Sequence, residues 1–370
     1  MDSIYIHIPF CNHICSYCDF CKFLNNNEWI QLYLDALKKE INLNYQKNMV
    51  KTLYIGGGTP SVLSINDLKK LFSILKIFNF ADDYEFTFEC NIESIDYEKL
   101  LFLYENKVNR LSIGVQTFNE KFLKFLNRFH TKKEVFEKID ICKKIGFKNI
   151  NIDLIYAIPG ETIDDLKSDL NLFLNLNINH ISTYSLMIEP HTKLYIEKIE
   201  NIDEELDFKM YNLICETLGR HGFNHYEVSN FSKPNFESKH NLVYWNNLEY
   251  YGFGVGASGY INNVRYDNTR NLFKYIDGVY FDNSHEVLLN EKIENEFILG
   301  FRKINGINLN EFLKKYNFNL LDIDEVKKLL NEKKLIKSNN QIFINPKYIY
   351  IQNEILIDLL DINYEEVYCE

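Results

Sequence analysis

Two hydrophobic periodicities alternate along the chain. Over residues 4–8 the isoleucines fall on one face and Tyr5 and His7 on the other, the period of two that marks a strand. Trp29, Leu32, Tyr33, Ala36, Leu37 and Ile41 then recur at helical spacing. The exchange repeats. Strand-like runs at 52–56, 85–90, 110–116, 149–155 and 181–187 are separated by helical stretches near 65–77, 96–106, 119–127, 132–145 and 162–175. Six strands alternating with helices predict an α/β fold with a parallel sheet, open or curled toward a barrel.

Three of the strands carry one polar face each: Glu85, Thr87 and Glu89; Arg110, Ser112 and Gln116; Asn149, Asn151 and Asp153. Their opposite faces (Phe86 and Phe88; Leu111, Ile113 and Val115; Ile150, Ile152 and Leu154) suit packing beneath crossover helices. Buried polar groups without partners are costly, so a polar inner face predicts a hydrated or ligand-filled interior rather than a dry core. Strands at an exposed sheet edge are the plainer reading, which repetition on three strands weakens. Ligands in such folds gather at strand C-terminal ends, where Glu89, Gln116 and Asp153 fall.

The later chain reads differently. A charged connector, IEKIENIDEELD, leads into an aromatic, Gly- and Asn-rich stretch over about 208–285. Amphipathic helices from about 290 precede LIKSNNQIFINPK, which reads as a hairpin. We therefore expect a core over 1–200, an accessory region over 201–289 and a C-terminal winged-helix-like α+β module over 290–370. The composition of the 370 residues, 46% hydrophobic and 25% charged, rules out a mostly disordered chain. A net charge of −11 argues against general nucleic-acid binding. No run approaches the ~18–20 apolar residues of a membrane span, and MDSIYIHIPFCNHIC lacks the basic and apolar segments of a signal peptide. A cytoplasmic location with reduced thiols is the expectation.

That expectation gives the cysteines their meaning. Cys11, Cys15, Cys18 and Cys21 cluster, whereas Cys90, Cys142, Cys215 and Cys369 stand alone. Cys11, Cys15 and Cys18 have C-x3-C-x2-C spacing in a loop directly after a strand. Three thiolates hold three irons of a [4Fe–4S] cube and leave the fourth iron open. The alternative is a structural zinc site completed by Cys21, His7 or His13. Gly56-Gly57-Gly58-Thr59-Pro60 follows the next strand, Leu53-Tyr54-Ile55. Its glycines let backbone approach a ligand closely, and bare backbone at a strand end suits an amino or carboxylate group. It lacks the spacing of a P-loop or a dinucleotide fingerprint.

Together these features resemble the radical S-adenosylmethionine (SAM) superfamily, whose core is a partial (β/α)6 barrel. YIHIPFC, GGGTPS, NRLSIGVQTF, NIDLIYAIPGET and HNLVYW are, more narrowly, similar to the oxygen-independent coproporphyrinogen oxidases and their heme-chaperone (HemW-like) relatives. The resemblance spans nearly the whole chain. It implies that Cys11, Cys15 and Cys18 ligate the cluster and that SAM chelates the open iron. Reductive cleavage of SAM to a 5′-deoxyadenosyl radical would be the chemistry of the cofactors, fed by a reductant protein such as flavodoxin or ferredoxin. Tyr5, Tyr17, Gly57, Gly58 and Thr59 fall where the family contacts SAM, as do Glu89, Gln116, Arg128 and Asp153. No separate catalytic side chain is implied.

Two features separate the branches. The oxidases have an extension before the cysteine loop and a fourth cysteine in C-x3-C-x2-C-x-C. Here Cys11 lies near the first residue and Phe20 occupies the fourth-cysteine position, as in the chaperones. HNLVYW is a chaperone motif, which makes His240 a heme-linked candidate, since His is a common axial ligand; by itself a histidine beside aromatics is a hydrogen-bonded core residue. The resemblance implies a heme chaperone that delivers heme to acceptor proteins. The alternatives are conversion of coproporphyrinogen III to protoporphyrinogen IX and a zinc-stabilised binding protein. Cys21 is an extra thiol, Ile92 stands where relatives often have proline, and Ala157 replaces a glycine.

Overall fold

The computed structural model describes residues 2–360, 362 and 364; Cys369 lies outside the described residues. Six parallel strands form the body of one sheet: β1 (Asp2–Ile8), β2 (Met49–Gly57), β3 (Asn79–Asn91), β4 (Arg110–Gln116), β5 (Asn149–Tyr156) and β6 (His180–Ser185). Between them run α1 (Asn27–Asn44), α2 (Ile65–Leu75), α3 (Tyr97–Glu105), α4 (Glu120–Phe125), α5 (Lys132–Ile145) and α6 (Ile163–Asn175). The polar capping residues that open these helices are local and strong. Ser64 with Asp67, Thr131 with Glu134 and Thr162 with Asp165 form reciprocal capping boxes at α2, α5 and α6.

The sheet does not stop at residue 200. α7 (Glu204–Arg220) is followed by β7 (Asn224–Glu227) and β8 (Asn230–Ser232), then α8 (Lys239–Trp245) and β9 (Tyr251–Phe253). The nine strands lie in the order β9-β1-β2-β3-β4-β5-β6-β8-β7. β9 runs parallel to β1, and β8 antiparallel to β6. The accessory stretch thus supplies both flanks of the half-barrel. The outermost strand is covered in turn: Val228 N–H donates to the Arg302 carbonyl and Ile304 N–H to that of Tyr226, which closes an edge that would otherwise invite pairing.

β6 ends two residues before the expected 187. Leu186 still donates its N–H to the Tyr156 carbonyl at 2.9 Å, and Met187 turns onto the rim of the barrel, where it is exposed. Phe86, Phe88, Leu111, Ile113, Ile150 and Ile152 are all buried, as the alternation requires. The C-terminal module contains α9 (Leu289–Gly300), α10 (Leu309–Tyr316) and α11 (Asp324–Asn331) with a small sheet ordered 307–308, 341–344, 335–338. Helices followed by a hairpin make it winged-helix-like. Among the described residues no helix is long and apolar enough to cross a membrane.

Candidate functional site

A cavity of about 490 Å³ opens at the C-terminal ends of the parallel strands. Parallel register brings the polar faces to it side by side. Glu89 on β3 lies opposite Ser112 on β4, and Gly114 opposite Asp153 on β5. A register shift after Gly114, with Gln116 at φ +73°, turns the end of β4 so that Gln116 also faces the cavity. Left-handed backbone in a non-glycine residue stores strain of the kind that functional sites hold.

The cysteine loop makes the facing wall. Phe10–Cys11 pairs in parallel with Phe23–Leu24, so the two ends of the loop are tied together. Ser16 N–H donates to the Leu126 carbonyl, and Lys22 Nζ donates to the carbonyls of Cys18 and Phe20. Cys11, Cys15 and Cys18 all line the cavity. Burial pushes the Cys11 thiol up to about 11 and also raises Cys18. The protein alone thus disfavours the thiolates, so a bound cationic centre would have to stabilise them. Among the described residues no three His, Cys, Asp or Glu side chains gather round the position of a single metal ion. Three sulfurs ringing a volume fit a multi-iron cluster better than one zinc. Cys21 stands elsewhere: it is buried, its Sγ lies 3.7 Å from the Arg270 carbonyl, and it lines a separate small pocket.

The glycine turn forms the floor beside the thiols. Gly57 has φ +116°, and a Cβ there would lie 2.6 Å from the His7 ring; at Gly58 it would lie 2.8 Å from the Pro9 backbone and 3.0 Å from Cys11 Sγ. No side chain fits at either position, so backbone itself is presented to the cavity. Thr59 Oγ1 is 3.5 Å from Cys11 Sγ and accepts from Asn91 Nδ2.

Glu89 and Asp153 are carboxyl groups held in low-dielectric surroundings. Glu89 accepts from Tyr54 Oη at 2.6 Å and from Gly57 N–H at 3.0 Å, yet burial still raises it to about 7. Asp153 accepts from Asn151 Nδ2 at 2.8 Å and is raised by burial to about 6. Arg128 follows α4 and is fixed from several sides: it donates to the Gly114 carbonyl at 2.6 Å and Asn91 Oδ1 at 3.1 Å, and lies 3.8 Å from both Glu93 and Cys15 Sγ. Gln116 Oε1 and Arg128 Nε remain buried without a partner. Each such orphan costs about 1–3 kcal/mol, which a polar ligand in the cavity would offset. The orphaned polar atoms, bare glycine backbone and three thiols together fit a sulfur-ligated cluster with SAM beside it.

Tyr17 joins these groups in the lining. Tyr5 and His240 do not. Tyr5 Oη is paired with His7 Nδ1 at 3.0 Å and lines the small pocket beside Cys21. His240 is buried, with Nδ1 bonded to Thr52 Oγ1 and Nε2 to Tyr244 Oη, both at 2.8 Å. Burial lowers it to about 3, so it is a neutral strut between β2 and α8. Its helix is anchored by Glu85, whose carboxylate accepts from the Lys239 and His240 N–H groups at 3.1 and 3.0 Å. The motif residue that reaches the cavity is Asn241. Tyr54, Asn91, Tyr184 and Asn241 were missed from the sequence. Tyr54 was within reach, because it shares a strand face with Thr52 and Gly56.

A half-barrel of six parallel strands with a three-thiol loop at its mouth defines a radical SAM protein, and the family model described as the radical SAM superfamily matches residues 5–173. The chain is 40% identical to the heme chaperone HemW of Lactococcus lactis over 98% of this chain and 99% of that protein. It is also 40% identical to the heme chaperone HemW of Bacillus subtilis, over 96% and 98%. The chain belongs to the HemW family within the radical SAM superfamily. Among solved structures it resembles the Escherichia coli coproporphyrinogen III oxidase HemN at a TM-score of 0.85, covering 97% of this chain and 90% of that one. Sequence identity there is 22%, so this likeness speaks for the fold alone.

Proposed function

We propose that this protein is a heme chaperone: it carries a [4Fe–4S] cluster and SAM, binds heme and passes it to acceptor proteins. The observation that carries the reading is near-full-length similarity to two HemW chaperones, in a chain with Phe20 at the fourth-cysteine position and with the HNLVYW motif. Phe20 is 60% exposed at the cavity mouth, where it presents a ring instead of a sulfur.

Cys11, Cys15 and Cys18 would hold the cluster. When bound, the cluster and SAM supply one-electron chemistry at the sulfonium. The chain's own residues do the rest. Gly57 and Gly58 offer backbone to the polar end of SAM, Arg128 supplies a fixed positive charge, and Glu89 and Asp153 accept hydrogen bonds from amino and hydroxyl groups. A flavodoxin- or ferredoxin-like reductant would serve the cluster. A cytoplasmic setting, with its reducing poise, suits three thiols that must stay free.

Anaerobically purified protein, assayed together for iron, sulfide and heme, tests the reading. Stoichiometric hemin uptake with a Soret shift, and no product from coproporphyrinogen III, is the expected result. Conversion of coproporphyrinogen III without heme uptake would replace the chaperone by an oxidase.

A further inference from the structure

A larger cleft of about 1190 Å³ lies behind α8, but amides and charges of both signs line it. The charge that lacks a partner sits inside the half-barrel. Arg110 opens β4, is 2% exposed and lines the 490 Å³ cavity. Among the described residues its guanidinium makes one hydrogen bond, from Nη1 to Thr87 Oγ1 at 3.4 Å, and Nε is buried without a partner. The arginine ion pairs of the described residues are those of Arg128, Arg220 and Arg302, so no carboxylate comes within 4 Å of Arg110. We propose that Arg110, with the amide of Asn241 lining the same cavity, anchors the carboxylate of an organic ligand. The inference stands apart from the chaperone reading, because it assigns the group that is held and not the cargo.

A guanidinium cannot relieve burial by losing its proton, so a buried one is costly until an anion meets it. The neighbouring carboxyls are already spent. Glu85 accepts from the Lys239 and His240 N–H groups. Glu89 accepts from Tyr54 and Gly57, and Asp153 from Asn151. The Arg110 charge draws Glu89 and Asp153 down, yet burial still holds them at about 7 and about 6. His180 and His240 feel the same charge, and burial together with it keeps both rings neutral. On the ladder, Arg110 faces Thr87 on β3 and Asn149 on β5, two neutral residues.

The second arginine of the cavity has a different post. Arg128 is clamped by the Gly114 carbonyl and Asn91, and stands 3.8 Å from Cys15 Sγ, at the end where the cluster and the amino-acid part of SAM belong. Arg110 begins four residues before Gly114 on the same strand, ~13 Å deeper along it. The cavity therefore has two cationic posts, and the deeper one is unclaimed. A planar guanidinium fork matches a carboxylate with two parallel hydrogen bonds. Asn241 adds a neutral donor: its side-chain amide lines the cavity and makes no hydrogen bond among the described residues. HNLVYW thus contributes a ligand contact through Asn241 that His240, with both nitrogens committed, does not.

The carboxylate can come from a tetrapyrrole propionate or from an amino-acid ligand, and paired probes tell them apart. Full-length, cluster-loaded protein is titrated with hemin against hemin dimethyl ester, and with SAM against decarboxylated SAM. Arg110→Met is expected to weaken the carboxylate-bearing member of one pair about tenfold and to leave its partner unchanged. The pair that responds names the source. Arg110→Lys, which keeps the charge without the fork, should recover part of the loss, and Asn241→Leu should weaken the same probe several-fold. Stability supplies a readout that a merely structural arginine would move the other way. Without ligand, Arg110→Met should unfold at higher denaturant than wild type, because an uncompensated buried charge is gone. Unchanged affinity for both hemin and SAM, or equal losses within each pair, would overturn the anchor. If Arg110→Met fails to fold, Asn241→Leu decides by the same comparison. A wild-type protein that takes up no hemin sinks the chaperone reading and leaves the SAM pair to decide this one.

Discussion

Glu89, Gln116 and Asp153 reach the cavity from strand ends whose spacing is set by the backbone ladder, whereas Cys11, Cys15 and Cys18 reach it from a loop held by a two-residue strand pairing at its ends and by single backbone contacts at Ile14 and Ser16. The strand-end wall is ordered before any ligand arrives: its carboxyls, amides and Arg128 already bond one another. The loop wall is the reverse: burial raises the Cys11 and Cys18 thiols, and the contacts to sulfur are long, Thr59 Oγ1 at 3.5 Å from Cys11 and Arg128 at 3.8 Å from Cys15. One wall is preorganised by the fold, and the other is completed by what it binds.

The comparison breaks most visibly at the sulfurs. Cys18→Ala should take the iron content from about four per chain to near zero and abolish the absorbance near 400 nm, while melting changes little. Iron analysis and a thermal scan check it; retained iron would mean that the loop, too, is preorganised. Gly57→Ala attacks the strand-end wall, because φ +116° and a Cβ 2.6 Å from His7 leave no relaxed solution. A loss of about 3 kcal/mol or more in apo stability is expected, read by denaturant unfolding.

The buried carboxyl sharpens the contrast through pH. Glu89 is raised to about 7 from an ordinary 4.5, so its contribution is complete below pH 4.5 and is lost as pH climbs through 7. That share is worth roughly 3 kcal/mol. Glu89→Gln removes it, and the difference between variant and wild-type stability should change across that window and flatten above it. A difference independent of pH would refute the raised carboxyl. The smallest effect is expected at Ala157, which follows β5 with φ +60°. Ala157→Gly relieves left-handed strain and should stabilise the protein by ~1 kcal/mol, a gain readable by calorimetry. It also explains why glycine is the residue this position invites.

Much of this architecture was legible as pattern. Alternation in three strands marked the inner faces, and Glu89, Gln116 and Asp153 all line the cavity with the three spaced cysteines and the glycine turn. These signals are local: a strand's period of two and a loop's cysteine spacing survive whatever the chain does elsewhere. His240 and Tyr5 were not legible in this way. His240 meets a partner distant in sequence, Thr52. Tyr5, although paired with His7 two residues on, is placed by the Tyr54 ring of the next strand and the pocket it shares with Tyr244; no periodicity encodes such contacts or which ring nitrogen is already taken.

The sequence by itself determined the α/β class, the polar interior, the cysteine loop and the branch of the family. Only the tertiary structure decided that residues 224–232 and 251–253 complete the sheet, that Asn241 and not His240 faces the cavity, and that a second cleft lies behind the motif helix. The reason is physical. Propensity and periodicity act over a few residues, while strand order and helix docking are set by contacts that close loops of many tens of residues.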